Sequence, residues 1–184
     1  MSKKAIFYFV SCITDFAEKN GISIKEAFLY LQKYNGLQFL MENYDIEHTL
    51  SKEDTLEALS SVTHRSGGHI KKNRNLQFMN KTQKHLIEDI IRDVVCFISQ
   101  EYSLPADIAM GKFFNSPIFE KLQDIESGLY TESASYVYEL YKQAKKLQWN
   151  EFMKINKGEI LLKLLLDEDI IILSEWLDKE YIKK

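Results

Sequence analysis

The chain has 184 residues, 45% of them hydrophobic and 28% charged, with a formal net charge of −3. A chain of this length suits one domain or two small ones. It can bury about 70% of its unfolded surface, so it needs neither a metal nor a disulfide to fold. It has only two prolines and seven glycines, which disfavours turn-rich sandwiches and barrels and favours helices. No stretch approaches the roughly 20 apolar residues of a membrane span and no secretory signal fits the start, so we expect a cytoplasmic protein without membrane contacts.

The first part of the chain is predicted to be a series of helices. Apolar residues at three- and four-residue spacing predict a helix over about residues 4–19. Ser23 and Glu26 then form a capping-box pattern that opens a helix ending near residue 34. After a short helix, Ser51 is placed to cap another, which ends before a pair of glycines.

The second part follows the same order of elements. A long helix is predicted from about residue 82, and the sequence Ser103-Leu104-Pro105 opens the next. Ser116 and Pro117 open a third, Gly128 turns the chain, and a last helix begins near residue 133. Tyr136 and Val137 are among the apolar positions of this helix, and Leu86 is among those of the long one.

The strongest sign of internal duplication is a repeated tripeptide. Asp45-Ile46-Glu47 recurs as Asp124-Ile125-Glu126, between similar helical stretches. We therefore predict an all-α fold with two tandem helical units of about four helices each and a C-terminal apolar helical pair. The predicted boundaries are 1–66 for the first unit, 67–81 for a basic linker, 82–150 for the diverged second unit and 151–184 for the C-terminal helices.

The C-terminal pair is predicted from residues 160–177, where twelve of eighteen positions are apolar. Helices that are hydrophobic nearly all round must be buried. Two interpretations stay open: packing against the tandem units, or a surface for a homodimer or another partner. Cys12 and Cys96 both lie in apolar stretches, and we interpret them as reduced core thiols.

The segment 58–87 has no acidic residue and a formal charge of +6. Its Lys and Arg residues are Arg65, Lys71, Lys72, Arg74, Lys81 and Lys84. It is either a solvated linker or a docking strip for an acidic partner or a phosphate backbone. Nucleic acid is the less favoured ligand, because the sequence pI is about 5.9 and no recognition helix or aromatic stacking motif is present.

A second candidate site is the run Tyr44-Asp45-Ile46-Glu47-His48-Thr49. An imidazole between two carboxylates can transfer protons, as a hydrolase or transferase requires. The alternative is a loop over residues 45–49 held by its own hydrogen bonds. The spacing is a weak metal signal, and no nucleotide, phosphate-loop or zinc motif occurs, so no metal or cofactor is expected.

The same residues carry a family resemblance. The pattern G-I-S-x-x-E-A from Gly21, followed by Y-D-x-x-H-T from Tyr44, resembles a small helical bacterial domain of unknown function over about residues 5–66. That domain is often encoded beside an ADP-ribosyltransferase-like toxin, so the resemblance implies an antitoxin or immunity-type role. Residues 82–145 resemble a diverged copy, in which Ser127 and Gly128 replace His48 and Thr49.

These observations lead to one main hypothesis about function. We expect a non-enzymatic protein-interaction module that binds and inhibits another macromolecule, a toxin or a nuclease-type enzyme. The related alternative is a phage or mobile-element protein that inhibits a nuclease or another nucleic-acid-bound defence enzyme. The other alternative is a small hydrolase or transferase using Asp45, Glu47 and His48. The predicted partner-binding residues are Tyr44, Asp45, His48, Thr49, Arg65, Lys71, Lys72, Arg74, Lys81 and Lys84.

Overall fold

The computed structural model describes residues 3–70 and 79–155. Within these ranges the chain forms α-helices and two 3₁₀ helices, and no strand, which confirms the predicted all-α fold. The α-helices are α1 (Lys3–Asn20), α2 (Ile24–Lys33), α3 (Gly36–Glu42), α4 (Tyr44–Glu47), α5 (Lys52–Arg65), α6 (Lys81–Glu101), α7 (Ala106–Phe114), α8 (Pro117–Gln123) and α9 (Ala134–Ile155). The 3₁₀ helices, Ile125–Ser127 and Leu129–Thr131, lie between α8 and α9.

Most helix ends follow the predicted local chemistry. The Ser23 hydroxyl accepts from the backbone N–H of Glu26, whose carboxylate accepts from the Ser23 N–H at 2.8 Å, so the capping box is confirmed. Ser51 and Ser116 cap α5 and α8 in the predicted way. Gly128 turns the chain with φ 68°, in the left-handed region that favours glycine.

Other details of the helix predictions were wrong. The sequence Ser103-Leu104-Pro105 does precede α7, but Pro105 stands at the N-cap rather than in the first turn, and Ser103 has φ 52°. Tyr136 is exposed, and Tyr138 is buried in its place, with its hydroxyl donating to a Glu101 carboxylate oxygen at 2.8 Å. Leu86 is exposed because it lies about 200° around the helix from Lys84 and Glu88, which face inward.

Helix α1 lies at the centre of the described core. It packs against α2, α5 and α6, and α6 packs in turn against α7. The rings of Phe28 on α2 and Phe114 on α7 have centroids 4.7 Å apart, so the core is continuous between the two parts of the chain. Cys12 and Cys96 are free and buried, as predicted.

The chain divides into one compact unit, residues 1–141, and a second, residues 142–184. Of the second unit the structure describes the continuation of α9 to Ile155. The apolar run over residues 160–177 lies outside the described residues. The tandem-unit boundaries stay a prediction. No helix in the described ranges is long and apolar enough to cross a membrane.

Candidate functional site

The predicted loop after Tyr44 is a short helix. Residues Tyr44–Glu47 form α4, with hydrogen bonds from the N–H groups of Glu47 and His48 to the carbonyls of Asn43 and Tyr44. The Tyr44 ring packs edge-on against two aromatic rings of α1, those of Tyr8 and Phe9, at 5.6 and 5.7 Å between centroids. These contacts fix α4 against the centre of the fold.

His48 is held by local contacts. Its ring stacks on that of Tyr44 with centroids 4.6 Å apart, and Nδ1 lies 2.5 Å from the Tyr44 carbonyl oxygen. Because a carbonyl only accepts hydrogen bonds, Nδ1 carries the proton in this contact. The Thr49 hydroxyl donates to the Ile46 carbonyl oxygen at 2.7 Å. The segment is thus held by its own hydrogen bonds, as the structural alternative for residues 45–49 predicts.

The carboxylates of Asp45 and Glu47, beside His48, lie in different environments. Glu47 is buried, and its Oε2 has no hydrogen-bond partner among the described residues, whereas Asp45 is exposed. Within the described contacts, His48 bonds to neither carboxylate. The geometry therefore does not assemble Asp45, Glu47 and His48 into the acid–base group that a hydrolase would need.

Segment 44–50 instead presents apolar side chains to solvent. Ile46 is 62% exposed and Leu50 is 45% exposed. The acidic residues that flank them in the sequence and are also exposed are Glu42, Asp45, Glu53 and Asp54. Ile46 and Leu50 are thus an exposed apolar pair that exposed acids flank in the sequence on both sides, with the exposed Lys52 next to Leu50.

The predicted basic residues are distributed over different places. Arg65 ends α5, where its Nε donates to the Ser61 carbonyl oxygen at 3.3 Å. Lys52 begins the same helix, about 20 Å away at the α-helical rise. Lys81 and Lys84 lie in the first turn of α6, close to the Lys52 end. The other three, Lys71, Lys72 and Arg74, lie outside the described residues.

Lys84 takes part in a buried ion-pair cluster that the sequence did not reveal. Its ammonium lies 2.8 Å from the Asp15 carboxylate and also pairs with Glu18. Lys52 approaches the other Asp15 oxygen at 2.5 Å. Asp15 is only 6% exposed, so two cations neutralise one buried anion. Burial and the nearby Lys84 charge lower the pKa of Lys52.

A second buried carboxylate, that of Glu88, lies on α6 one helical turn after Lys84. Glu88 accepts a hydrogen bond from the Thr14 hydroxyl at 2.6 Å and pairs with Arg92 at 3.5 Å. The sequence did contain one indication of these buried pairs, because Asp15 and Glu88 occupy positions within otherwise apolar helix faces. Buried acids need partners, so each acid implied a basic or hydroxyl residue on a facing helix.

Two cavities open beside this cluster. The larger, of about 390 Å³, lies among α1, the beginnings of α2, α5 and α6, and the end of α8. Its walls include Lys52, Lys81, Lys84 and His85 on one side, and apolar side chains such as Ile22 on another. The smaller cavity, of about 240 Å³, is lined by Cys12, Leu50 and Lys52 among others, so Lys52 borders both.

The smaller cavity contains the thiol of Cys12. Burial raises the pKa of Cys12 to about 12, with a smaller contribution from the Glu47 charge. The thiol is therefore protonated at neutral pH, and the nucleophilic thiolate is absent. Over the described part of the chain, no group of three His, Cys, Asp or Glu side chains is arranged to hold a metal ion.

Comparison with known proteins identifies part of the chain. Residues 7–64 match the model of a protein family of unknown function, DUF3791. The predicted resemblance to a domain of unknown function is confirmed for this segment. No curated protein and no solved structure matches the chain. The DUF3791-matching segment supplies Asp15, Lys52 and segment 44–50, whereas Lys81 and Lys84 lie outside it.

Proposed function

We propose that this protein is a non-enzymatic interaction module that binds and inhibits another protein, as an antitoxin or immunity protein does. The supporting observation is the exposure of Ile46 and Leu50 on a segment whose other side is fixed by Tyr44. Exposed apolar side chains on a preorganised support are suited to binding, because little conformational entropy is lost on association. A toxin encoded beside this protein is the partner that the family resemblance implies.

The charge around the apolar pair defines the chemistry of the partner. Exposed acids lie on both sides of Ile46 and Leu50 in the sequence, so the partner we propose would offer an apolar pocket with basic groups nearby. Ile46 would fill the pocket, and the acids would steer the encounter. The site of action would be the cytoplasm, consistent with the free thiols of Cys12 and Cys96.

The exposed acids that flank Ile46 and Leu50 in the sequence support a second candidate function, inhibition of a nuclease by a phage or mobile-element protein. An enzyme that holds nucleic acid has a basic surface around its active site. An acidic protein surface with an apolar centre could cover that surface in place of the nucleic acid. In this form the contact is made by segment 44–50.

Comparison of two variants would test the proposal. Tagged wild type, Ile46→Glu and Ile108→Glu are each purified from the native host, and each is also co-expressed with the product of the neighbouring gene. Ile108 is a matched control because it is a partly exposed isoleucine on α7. We expect one protein to co-purify with wild type and Ile108→Glu and to be lost from Ile46→Glu. Equal recovery with Ile46→Glu, or recovery of no partner, would contradict the proposal.

A further inference from the structure

The 390 Å³ cavity has the size of a small-molecule site. Ligand pockets in proteins begin at about 300 Å³ and combine apolar walls with a few converging polar groups. Here Ile22, Ile24 and Met79 provide apolar surface, and the side chains of Lys52, Lys81 and Lys84 belong to the same walls. The occupant suited to such a cavity has an anionic group attached to a small apolar body.

The ammonium groups keep unused hydrogen-bond donors. Each has three N–H donors. Lys84 pairs with two acceptors, Asp15 and Glu18, and Lys52 with Asp15 alone. Lys81 has no ion pair among the described residues. Up to six donors therefore remain for a ligand, and each lysine can supply at least one.

The charge balance at the cavity favours an anion. The cationic groups in its walls are the three lysines, and Glu18 is the acid that shares these walls. Asp15 neutralises part of the charge of Lys52 and Lys84 but does not reach that of Lys81. The pKa of Lys52 is lowered first by burial and then by the charge of Lys84.

Three helices also begin at the cavity. The caps or first residues of α2, α5 and α6 contribute Ser23, Lys52 and Lys81 to its walls. Glu26, Glu53 and Asp54 lie in the first turns of α2 and α5 and offset those helix dipoles, whereas the first turn of α6 has no acid, so its positive end adds to the field of the lysines. A phosphate dianion offers three terminal oxygens to the spare donors, whereas a carboxylate offers two oxygens and one charge.

We propose that this cavity binds a small phosphate monoester, with the phosphate on Lys52, Lys81 and Lys84 and its organic group against Ile22, Ile24 and Met79. The site is separate from segment 44–50, and it does not depend on the proposed protein partner. Its walls combine the DUF3791-matching segment with α6, so neither part of the chain forms it alone.

The test is calorimetric titration of the full-length protein with phenyl phosphate, benzoate and phenol. We expect phenyl phosphate to bind more tightly than benzoate, and phenol not to bind. Lys81→Gln should weaken phenyl phosphate binding about 10-fold, the usual effect of losing a charged hydrogen bond. Lys4→Gln is the matched control, because Lys4 is exposed in the first turn of α1, about 20 Å along the helix from Ala17.

Several results would overturn the proposal. They are no binding of phenyl phosphate, equal binding of phenol, tighter binding of benzoate, or the same affinity in Lys81→Gln as in wild type. An equal loss in Lys4→Gln would show that net charge, not the cavity, attracts the ligand. Both substituted lysines are exposed and carry no buried partner, and thermal unfolding of each variant will verify that the fold is retained.

Discussion

The Lys84 ammonium donates to a carboxylate oxygen of Asp15 at 2.8 Å, and the two residues are 69 positions apart in the sequence. This contact joins α6 to α1 beside the hydrogen bond from Thr14 to Glu88, which joins the same two helices. Lys52 approaches the same carboxylate from α5. Asp15 therefore connects three helices through one buried charge, and its ionised form depends on the cations around it.

Removal of Lys84 should destabilise the protein. In Lys84→Met, Asp15 keeps Lys52 but loses its better-buried partner, and we expect the free energy of unfolding to fall by about 2–3 kcal/mol. Urea denaturation will measure the change. Lys81→Met is the control, since Lys81 is in the same turn without an ion pair, and it should change stability by less than about 0.5 kcal/mol.

Adding Asp15→Asn to Lys84→Met should restore part of the loss, because the double variant no longer has an unbalanced buried charge. A double variant that loses as much stability as the two single variants together would show that the pair is not coupled.

The hydrogen bond from Thr14 to Glu88 gives a second stability prediction. Thr14→Val keeps the shape of the side chain and leaves Glu88 Oε1 buried without this donor. We expect a loss of about 1–3 kcal/mol in the free energy of unfolding, the usual effect of leaving a buried acceptor unsatisfied. Thr14→Ser retains the hydroxyl and should lose less. Equal effects of the two substitutions would point to packing rather than hydrogen bonding.

Local features of the fold could be predicted from the sequence, and long-range pairing could not. Ser23, Ser51 and Ser116 cap helices as predicted, because a cap depends on residues three positions away. The partners of Asp15 and Glu88 lie on other helices, so spacing along the chain gives no information about them. The loop prediction was wrong for residues 45–47, because tertiary packing of Tyr44 stabilises a turn of helix that propensity does not indicate, whereas residues 48 and 49 form a turn.

Cys12 should resist alkylation in the folded protein. Its pKa is raised from 9.0 to about 12 by burial, so at pH 8 the folded protein contains almost no thiolate at this position. Iodoacetamide labelling followed by mass spectrometry should modify Cys12 only in denaturant. Rapid labelling under native conditions would contradict the buried environment.

The raised pKa of Cys12 also predicts that the free energy of unfolding depends on pH in the alkaline range. The unfolded thiol ionises near pH 9, whereas the folded thiol ionises near 12. The stabilisation that the protonated Cys12 thiol contributes is fully present below pH 9. It is lost as the pH rises toward 12, because the thiol of the unfolded state releases its proton first. Cys12→Ala should show a smaller fall in unfolding free energy over this interval than wild type does.

His48→Ala tests whether segment 44–50 is structural or catalytic. The substitution removes the stacking on Tyr44 and the hydrogen bond to its carbonyl oxygen. We expect a loss of about 1 kcal/mol in the free energy of unfolding, with partner binding retained when Ile46 is intact. Abolition of a hydrolase or transferase activity in a fully stable variant would instead support the enzyme alternative. Circular dichroism and thermal unfolding will separate the two outcomes.

The ion pairs of Asp15 have an evolutionary consequence. Asp15 and Lys52 lie inside the DUF3791-matching segment, and Lys84 lies beyond its end. A relative that has only the matching segment would lack the third member of this triad. Such proteins would keep only the pair formed by Asp15 and Lys52, unless a cation from another part of the chain takes the place of Lys84. In longer relatives, the residues equivalent to 15 and 84 should covary.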